Sequence, residues 1–164
     1  MQDWLDIVLI YCSVISTPTG PMTLTEENGA ITAAMWGGTT GDDNTALLRR
    51  AAVQIGEYFA GSRTGFDLPL RVNGSEFQQA VCDAMLAIPF GETVTYGDIA
   101  KQLNVPAQVV GQACGGNPIP LIIPCHRVLG ANGLGGFSGD GGGLAGVELK
   151  VQLLRHEGAA GLLI

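Results

Sequence analysis

The sequence contains few of the residues that build metal sites and disulfide frameworks. Its only histidines are His126 and His156, and none of its four cysteines forms a Cys-x-x-Cys pair. Zinc-binding modules need such pairs at fixed spacing, and a chain without an export signal keeps its thiols reduced. We therefore expect no metal site, no structural disulfide and no cofactor.

Long hydrophobic runs are also missing. The longest apolar segment near the start, IVLIYCSVI at 7–15, is too short for a bilayer, which takes about 20 apolar residues. It follows Asp3 and Asp6 rather than the basic region of a signal peptide. With 46% hydrophobic and 14% charged residues, the composition is typical of a compact globular protein. We expect a soluble protein of the cytoplasm.

Basic residues are absent from the front of the chain. Residues 1–48 hold six acids and no Lys or Arg, and the net charge of the whole chain is −7. From residue 49 onward nine acids face eight bases, so the acidity belongs mainly to the front. An acidic protein is a poor partner for a phosphate backbone. Contact with nucleic acid would therefore be modest and local.

The first third of the chain has the pattern of β-strands. Three runs rich in β-branched residues, at 6–17, 20–27 and 30–37, are separated by turn signals that include Asn28-Gly29. An amphipathic helix from about Asp43 to Ala60 follows. The stretch FDLPLRVNG at 66–74 then indicates an extended connector. We place the boundary here, between an N-terminal domain at 1–70 and a C-terminal domain at 73–164.

The second part of the chain is predicted to be helical. Ser75 and Gln78 have the capping-box form that opens a helix. Thr95 can cap a short helix, and residues 106–115 can form another after a tight turn, which together suggest a helix-turn-helix. A last helix ends at Glu157-Gly158. Its predicted inner stripe consists of Leu144, Val147, Val151 and Leu154.

One short segment carries several reactive groups side by side. The sequence IIPCHRVLG, at 122–130, places Cys125, His126 and Arg127 after an apolar run. A thiolate is a good nucleophile, and neighbouring cations lower the pKa of a thiol, so the segment predicts an activated cysteine. An isolated buried cysteine is more often a small apolar residue. That interpretation applies to Cys12, Cys82 and Cys114.

A glycine-rich segment follows, NGLGGFSGDGGGLAG at 132–146. It lacks the Gly-Lys-Ser/Thr end of a phosphate-binding loop, so a nucleotide site is not expected. A mobile loop over a pocket and a plain surface loop are both compatible with its composition.

Four motifs occur in one order: IPFGETVTYGDIAKQL, GGNPIPLIIPCHRV, GGFSG and LLRHEG. With this combination the chain resembles the O6-alkylguanine-DNA alkyltransferases, also called methylated-DNA–protein-cysteine methyltransferases, most densely over residues 73–164. The resemblance implies an α/β N-terminal domain of ribonuclease-H-like kind. It also implies a mainly α C-terminal domain of winged-helix or helix-turn-helix-like kind.

The resemblance also implies a role for each acceptor-site residue. Cys125 would take the alkyl group from the O6 atom of a damaged guanine. His126 would act as general base through a water molecule, and Glu157 would orient His126 and balance its charge. Asn117 would hold the turn that joins the DNA-reading helix to the active-site segment.

A second implied set binds the DNA and the flipped base. Tyr96 would press on the phosphate and hydrogen-bond the base, while Ser138 would close over it. Pro120 and the backbone around Val128 would line the pocket. At Gln108 the sequence QVVG replaces the RAVG usual in the family, and Gln lacks the charge and stacking plane of Arg. We therefore expect weaker DNA affinity and base extrusion, with the transfer chemistry intact.

The implied partner is double-stranded DNA that carries O6-alkylguanine, with O4-alkylthymine as a further candidate substrate. The target base must be flipped out of the duplex, which costs a few kcal/mol. A thioether at Cys125 has no leaving group for water to displace, so each molecule would react once. We expect a monomer with no membrane partner. The alternatives are a non-enzymatic damage-binding protein and a Cys-His-Glu hydrolase.

Two further expectations concern cationic side chains. Arg127 is expected to pair with a carboxylate rather than to act in catalysis. Lys101 and Lys150 could touch phosphate, but the default for both is a solvated surface charge.

Overall fold

The computed structural model describes residues 7–38, 40–131, 133 and 143–159. The chain divides into two compact units, Met1–Arg71 and Val72–Ile164. Among the described residues, no helix combines the length and the apolar character that a membrane crossing requires.

The first unit is built on a three-stranded antiparallel sheet with the order β1-β2-β3. The strands are β1 (Ile10–Ile15), β2 (Met22–Glu27) and β3 (Ala30–Trp36). Asn28 and Gly29 join β2 to β3 with φ values of 47° and 82°. Two consecutive positive φ values are typical of the tight hairpin turns that match strand twist. The three predicted strands and their turn are confirmed.

Helix α1 (Ala46–Ala60) packs one apolar face into this unit. Its N-cap is Thr45, whose hydroxyl accepts a hydrogen bond from Leu48 N at 3.0 Å. The helix therefore begins three residues after the predicted Asp43, because the extended backbone of Thr45 sets the start. Gln54 is buried on the same face and exchanges hydrogen bonds of 3.1 and 2.9 Å with the backbone of Asp67. This pair fixes the connector against the helix.

The second unit is mainly helical. It contains α2 (Glu76–Leu86), α3 (Tyr96–Leu103), α4 (Ala107–Gly115) and α5 (Gly143–His156). Two short strands, β4 (Val94–Thr95) and β5 (Val128–Leu129), pair in parallel and align the start of α3 with the segment after Arg127. A three-residue turn at 104–106, with Asn104 in the left-handed conformation at φ 57°, joins α3 to α4.

The two predicted N-caps of this unit behave differently. Thr95 caps α3, and Asp98 completes the capping box by accepting from Thr95 N at 2.8 Å. These hydrogen bonds, first among them the one from the Thr95 backbone, lower the pKa of Asp98. Ser75 also caps α2, but the side-chain amide of Gln78 donates to Ala113 O on α4 at 2.9 Å. The expected reciprocal bond at Ser75 is thus replaced by a contact between α2 and α4.

The buried face of α5 differs from the predicted stripe. Val147 and Val151 are only half-buried, and the side chain of Leu144 lies outside the described residues. The face that packs inward is formed by Leu149, Lys150, Leu153 and Leu154, with Glu157 directly beyond the helix. The prediction is confirmed for Leu154 and wrong for Val147 and Val151, because the buried face includes the charged Lys150, which hydrophobic spacing alone does not place inward.

Candidate active site

Cys125 lies within a continuously buried segment, residues 119–128, and begins a single turn of 3-10 helix at Cys125–Arg127. The side chain of Asn117 forms two hydrogen bonds to the backbone of this segment. Its Nδ2 donates to Ile123 O at 2.8 Å, and its Oδ1 accepts from Ile119 N at 3.0 Å. The amide therefore closes the loop that presents the thiol, in the place predicted for it.

Leu121 is strained within the same loop. Its φ is 74°, in the left-handed region that a bulky side chain rarely occupies, and it is buried. A conformation of this kind costs about 1–3 kcal/mol and persists only where the surroundings hold it. The two bonds of Asn117 and the bond from Ile123 N to Ile119 O at 2.9 Å supply that restraint.

Glu157 joins two neighbouring side chains of the 3-10 turn. His126 Nε2 lies 2.7 Å from Glu157 Oε2. Arg127 grips the same carboxylate with two hydrogen bonds of 2.8 and 2.9 Å, and its third nitrogen donates to Ile88 O at 2.6 Å. All three side chains are buried. The expected pairing of Arg127 with a carboxylate is confirmed. The side chain joins Ile88, just after α2, and Glu157, just after α5, to the acceptor segment.

The imidazole of His126 is set up as a neutral base. Burial lowers its pKa below the ordinary value, opposed in part by Glu157. With Nε2 donating to Glu157, Nδ1 carries the lone pair. Nδ1 is buried and has no hydrogen-bond partner among the described residues. A buried, unpaired acceptor is costly. Because His126 follows Cys125 directly in the chain, the lone pair of Nδ1 points to a proton-accepting task.

The thiol of Cys125 is held in its protonated form. Burial raises its pKa to about 11, against the smaller opposing effects of a hydrogen bond from Asn117 and the charge of Lys150. A neighbouring cation does lower this pKa, as predicted, but it is Lys150 rather than His126 or Arg127, and burial outweighs it. The guanidinium of Arg127 is committed to Glu157 and Ile88, and desolvation dominates at the sulfur. Such a thiol needs a base to remove its proton.

Lys150 was missed by the sequence analysis as a residue of this site. It is fully buried, and its Nζ donates to Val128 O at 2.6 Å and lies 5.8 Å from the centre of the Tyr96 ring. Burial lowers its pKa to about 8. The expectation of a solvated charge is thus wrong. The spacing of Lys150 could have indicated its burial. Lys150 lies three and four residues before Leu153 and Leu154, so it shares their face of the helix.

The predicted base-binding residues fall into three groups. Pro120 and Val128 are buried in the acceptor segment. Tyr96 is half-buried at the start of α3, and burial raises its pKa to about 12, so the phenol keeps its proton. Tyr96 and the exposed Gln108 line one open cavity of about 590 Å3. Ser138 lies outside the described residues.

In the described part of the chain, no group of three or more His, Cys, Asp or Glu side chains is arranged to hold a metal ion.

Both parts of the chain match models of one protein family. Residues 10–72 match the family model "6-O-methylguanine DNA methyltransferase, ribonuclease-like domain", and residues 76–159 match "6-O-methylguanine DNA methyltransferase, DNA binding domain". The methylated-DNA–protein-cysteine methyltransferase of Mycolicibacterium paratuberculosis is 44% identical over 124 residues, 74% of each chain.

Two solved structures extend the comparison to nearly the whole chain. The O6-methylguanine methyltransferase of Mycobacterium tuberculosis is 38% identical with a TM-score of 0.80, covering 92% of this chain and 93% of that one. A crystal structure of the M. tuberculosis protein in complex with DNA is 39% identical with a TM-score of 0.77, covering 90% and 92%. The chain described here therefore belongs to the 6-O-methylguanine DNA methyltransferase family, with an N-terminal sheet domain and a C-terminal helical DNA-binding domain.

Proposed function

We propose that this protein repairs DNA by flipping O6-alkylguanine out of the duplex and transferring the alkyl group irreversibly to Cys125. The observation that carries the proposal is the buried Cys125–His126–Glu157 arrangement, in which the imidazole is neutral and its Nδ1 has no partner among the described residues. The curated relatives that match this chain carry the name of that activity.

The proton moves first in this mechanism. His126 Nδ1 takes the proton of the Cys125 thiol through a bridging water, and Glu157 stabilises the imidazolium that forms. The thiolate then attacks the alkyl carbon, a C–S bond forms, and the C–O6 bond breaks with its electron pair passing to the guanine. The guanine leaves after it gains the proton that His126 took from the thiol, which reaches it through solvent, so that His126 returns to its neutral form. Because the thioether has no leaving group, the protein is consumed in one turnover.

The remaining residues bind and position the base. Tyr96 is protonated at neutral pH, so its hydroxyl can donate a hydrogen bond to the flipped guanine. Pro120 and the Val128 backbone line the pocket, and Lys150 fixes the Val128 carbonyl. Asn117 holds the acceptor loop, and Gln108 enters the space left by the base. Ser138, which lies outside the described residues, is proposed to contact the flipped base.

The finer fold assignments belong to the same proposal. A ribonuclease-H-like first domain agrees with the sheet followed by α1, and with the wording of the family model that covers it. A helix-turn-helix of winged-helix type agrees with the short turn between α3 and α4. A duplex partner, a monomeric state and a location in the cytoplasm complete the proposal.

The deciding experiment measures intact mass after incubation with a duplex containing O6-methylguanine. We expect one methyl group per native molecule, none for Cys125→Ser, and one for the control Cys114→Ser. Cys114 suits as control because it is also a buried cysteine, and burial raises its pKa to about 12, above that of Cys125. Methyl uptake by Cys125→Ser would contradict the proposal. Binding without uptake would indicate a damage-binding protein, and repeated turnover a hydrolase.

A further inference from the structure

The outward face of α4 carries two amide side chains one helical turn apart. Gln108 and Gln112 are both exposed, and both line the open cavity of about 590 Å3. Positions i and i+4 of a helix lie on the same face, so the two amides point to one side of α4. The other walls of the cavity are formed by Thr95, Tyr96, Gly97, Ala107, Gly111 and Ala131.

This face offers hydrogen bonds without charge. Helix α4 has the sequence AQVVGQACG, which contains no acidic or basic residue. Gly111 lies between the two glutamines, and a Cβ atom built there would meet nothing within 4 Å. The backbone is therefore open to close approach between the two amides. A surface of this kind suits a partner with hydrogen-bonding edges better than a phosphate backbone, which calls for Lys or Arg.

The hydrogen-bonding groups of glutamine indicate which kind of partner this face can bind. A carboxamide has both an acceptor oxygen and a two-proton donor nitrogen. It can therefore form two hydrogen bonds to one base edge, as Gln and Asn do with adenine. A pair of carboxamides about one helical turn apart can reach neighbouring base pairs of a duplex.

We propose that Gln112 reads a base pair that flanks the alkylated nucleotide, while Gln108 on the same face enters the space left by the base, so that reaction with duplex DNA depends on flanking sequence. This inference rests on the proposed repair function. It adds a specificity-determining residue, Gln112, to a helix whose DNA contacts carry no charge of their own.

The test measures single-turnover rates on duplexes that share one O6-methylguanine and differ only in the base pairs on either side. Native protein should discriminate between the best and worst contexts by about 5- to 150-fold, the range that one bidentate contact supplies. Gln112→Ala should flatten this profile. The control Gln102→Ala, an exposed glutamine on α3 that does not line the cavity, should keep the native profile.

A second variant distinguishes the hydrogen bonding of the Gln112 side chain from its size. Gln112→Glu keeps the side-chain size but removes the donor, so it should change which context reacts fastest rather than flatten the profile. Because each profile compares duplexes for one protein, a uniform loss of affinity leaves it unchanged. The inference is overturned if native protein reacts equally in all contexts, or if Gln112→Ala or Gln112→Glu keeps the native profile.

The reaction of native protein with free O6-benzylguanine distinguishes failure of the Gln112 inference from failure of the proposed repair function. If this reaction labels Cys125 and the context profile is flat, the repair function stands and the role of Gln112 is wrong. If native protein reacts with neither the free base nor any duplex, the proposed function itself fails.

Discussion

Glu157 serves two cations with different tasks. Arg127 is permanently charged and binds the carboxylate in bidentate fashion, whereas His126 becomes charged only when it accepts a proton. Arg127 thereby fixes the carboxylate in the position that the imidazolium needs. The same arrangement explains why removal of Glu157 would affect both stability and rate.

We predict that Glu157→Gln slows alkyl transfer because the imidazolium of His126 loses the charge that stabilises it. General-base catalysis contributes about 100- to 10,000-fold, so the loss should fall within that range. Single-turnover assays with free O6-benzylguanine measure the rate of alkyl transfer. The matched control is Glu148→Gln, at an exposed position of α5. A denaturation curve confirms that the variant is folded, since Arg127 is left buried without its partner. Unchanged rates would refute the pairing as a catalytic device.

Lys150 gives a prediction about pH. Its pKa is about 8 in the folded protein, below the ordinary value of 10.5, so between these values the unfolded chain binds more protons. Native stability should therefore rise with pH relative to Lys150→Met, by at most about 1.4 kcal/mol per pH unit. Urea denaturation at pH 8 and pH 9 tests this. The thiols of Cys114 and Cys125 have raised pKa values that oppose the trend as pH approaches their ordinary value of 9.0, but both proteins contain them, so the comparison removes their contribution. A parallel pH dependence of both proteins would show that Lys150 is not desolvated.

Some features of the helices and strands depend on the local sequence, and others depend on residues far away in the chain. The hairpin at Asn28-Gly29 and the cap of α3 at Thr95 depend on contacts a few residues apart, and both were predicted. Gln78 instead finds its partner 35 residues away, at Ala113 O. Lys150 finds Val128 O, 22 residues away. Partners at such separation become visible only when the helices are packed, which is why these two interpretations failed.

The register of α5 can be tested directly. We predict that Leu153→Ala lowers the free energy of unfolding by about 2–5 kcal/mol, as removal of a fully buried leucine does. Val151→Ala, on the half-buried flank of the same helix, should cost less. Urea denaturation of both variants makes the comparison. A larger loss at Val151 would favour the stripe that hydrophobic spacing alone predicted.

At the scale of the whole molecule, the candidate site combines parts that the sequence keeps far apart. The motifs predicted Cys125, His126, Asn117 and Glu157, because each lies in a short stretch with a recognisable pattern. The distances within the site depend on packing, and so does the raised pKa of the thiol. Composition predicted modest contact with DNA. In the second unit only Lys101 and Arg155 are exposed bases, since Arg127 and Lys150 are buried.

This scarcity of exposed positive charge leads to the prediction for Gln108→Arg. A guanidinium on the exposed start of α4 adds a planar group that can stack in the space left by the flipped base, and a charge that can meet a phosphate. Stacking on an aromatic side chain is worth about 1–3 kcal/mol per base, which sets the scale for the gain in duplex binding. The plot of log affinity against log salt should steepen by about 0.9 for one added phosphate contact.

The measurement compares pseudo-first-order rates of native and Gln108→Arg protein on a methylated duplex and on free O6-benzylguanine, at two salt concentrations. We expect acceleration on the duplex that shrinks at high salt, with nearly the same rate on the free base, because Cys125, His126 and Glu157 are untouched. Gln102→Arg on α3 adds the same charge away from the cavity and controls for general electrostatic attraction. Equal acceleration on both substrates would mean that position 108 acts on the chemistry, and no gain on the duplex would place it away from the vacated stack.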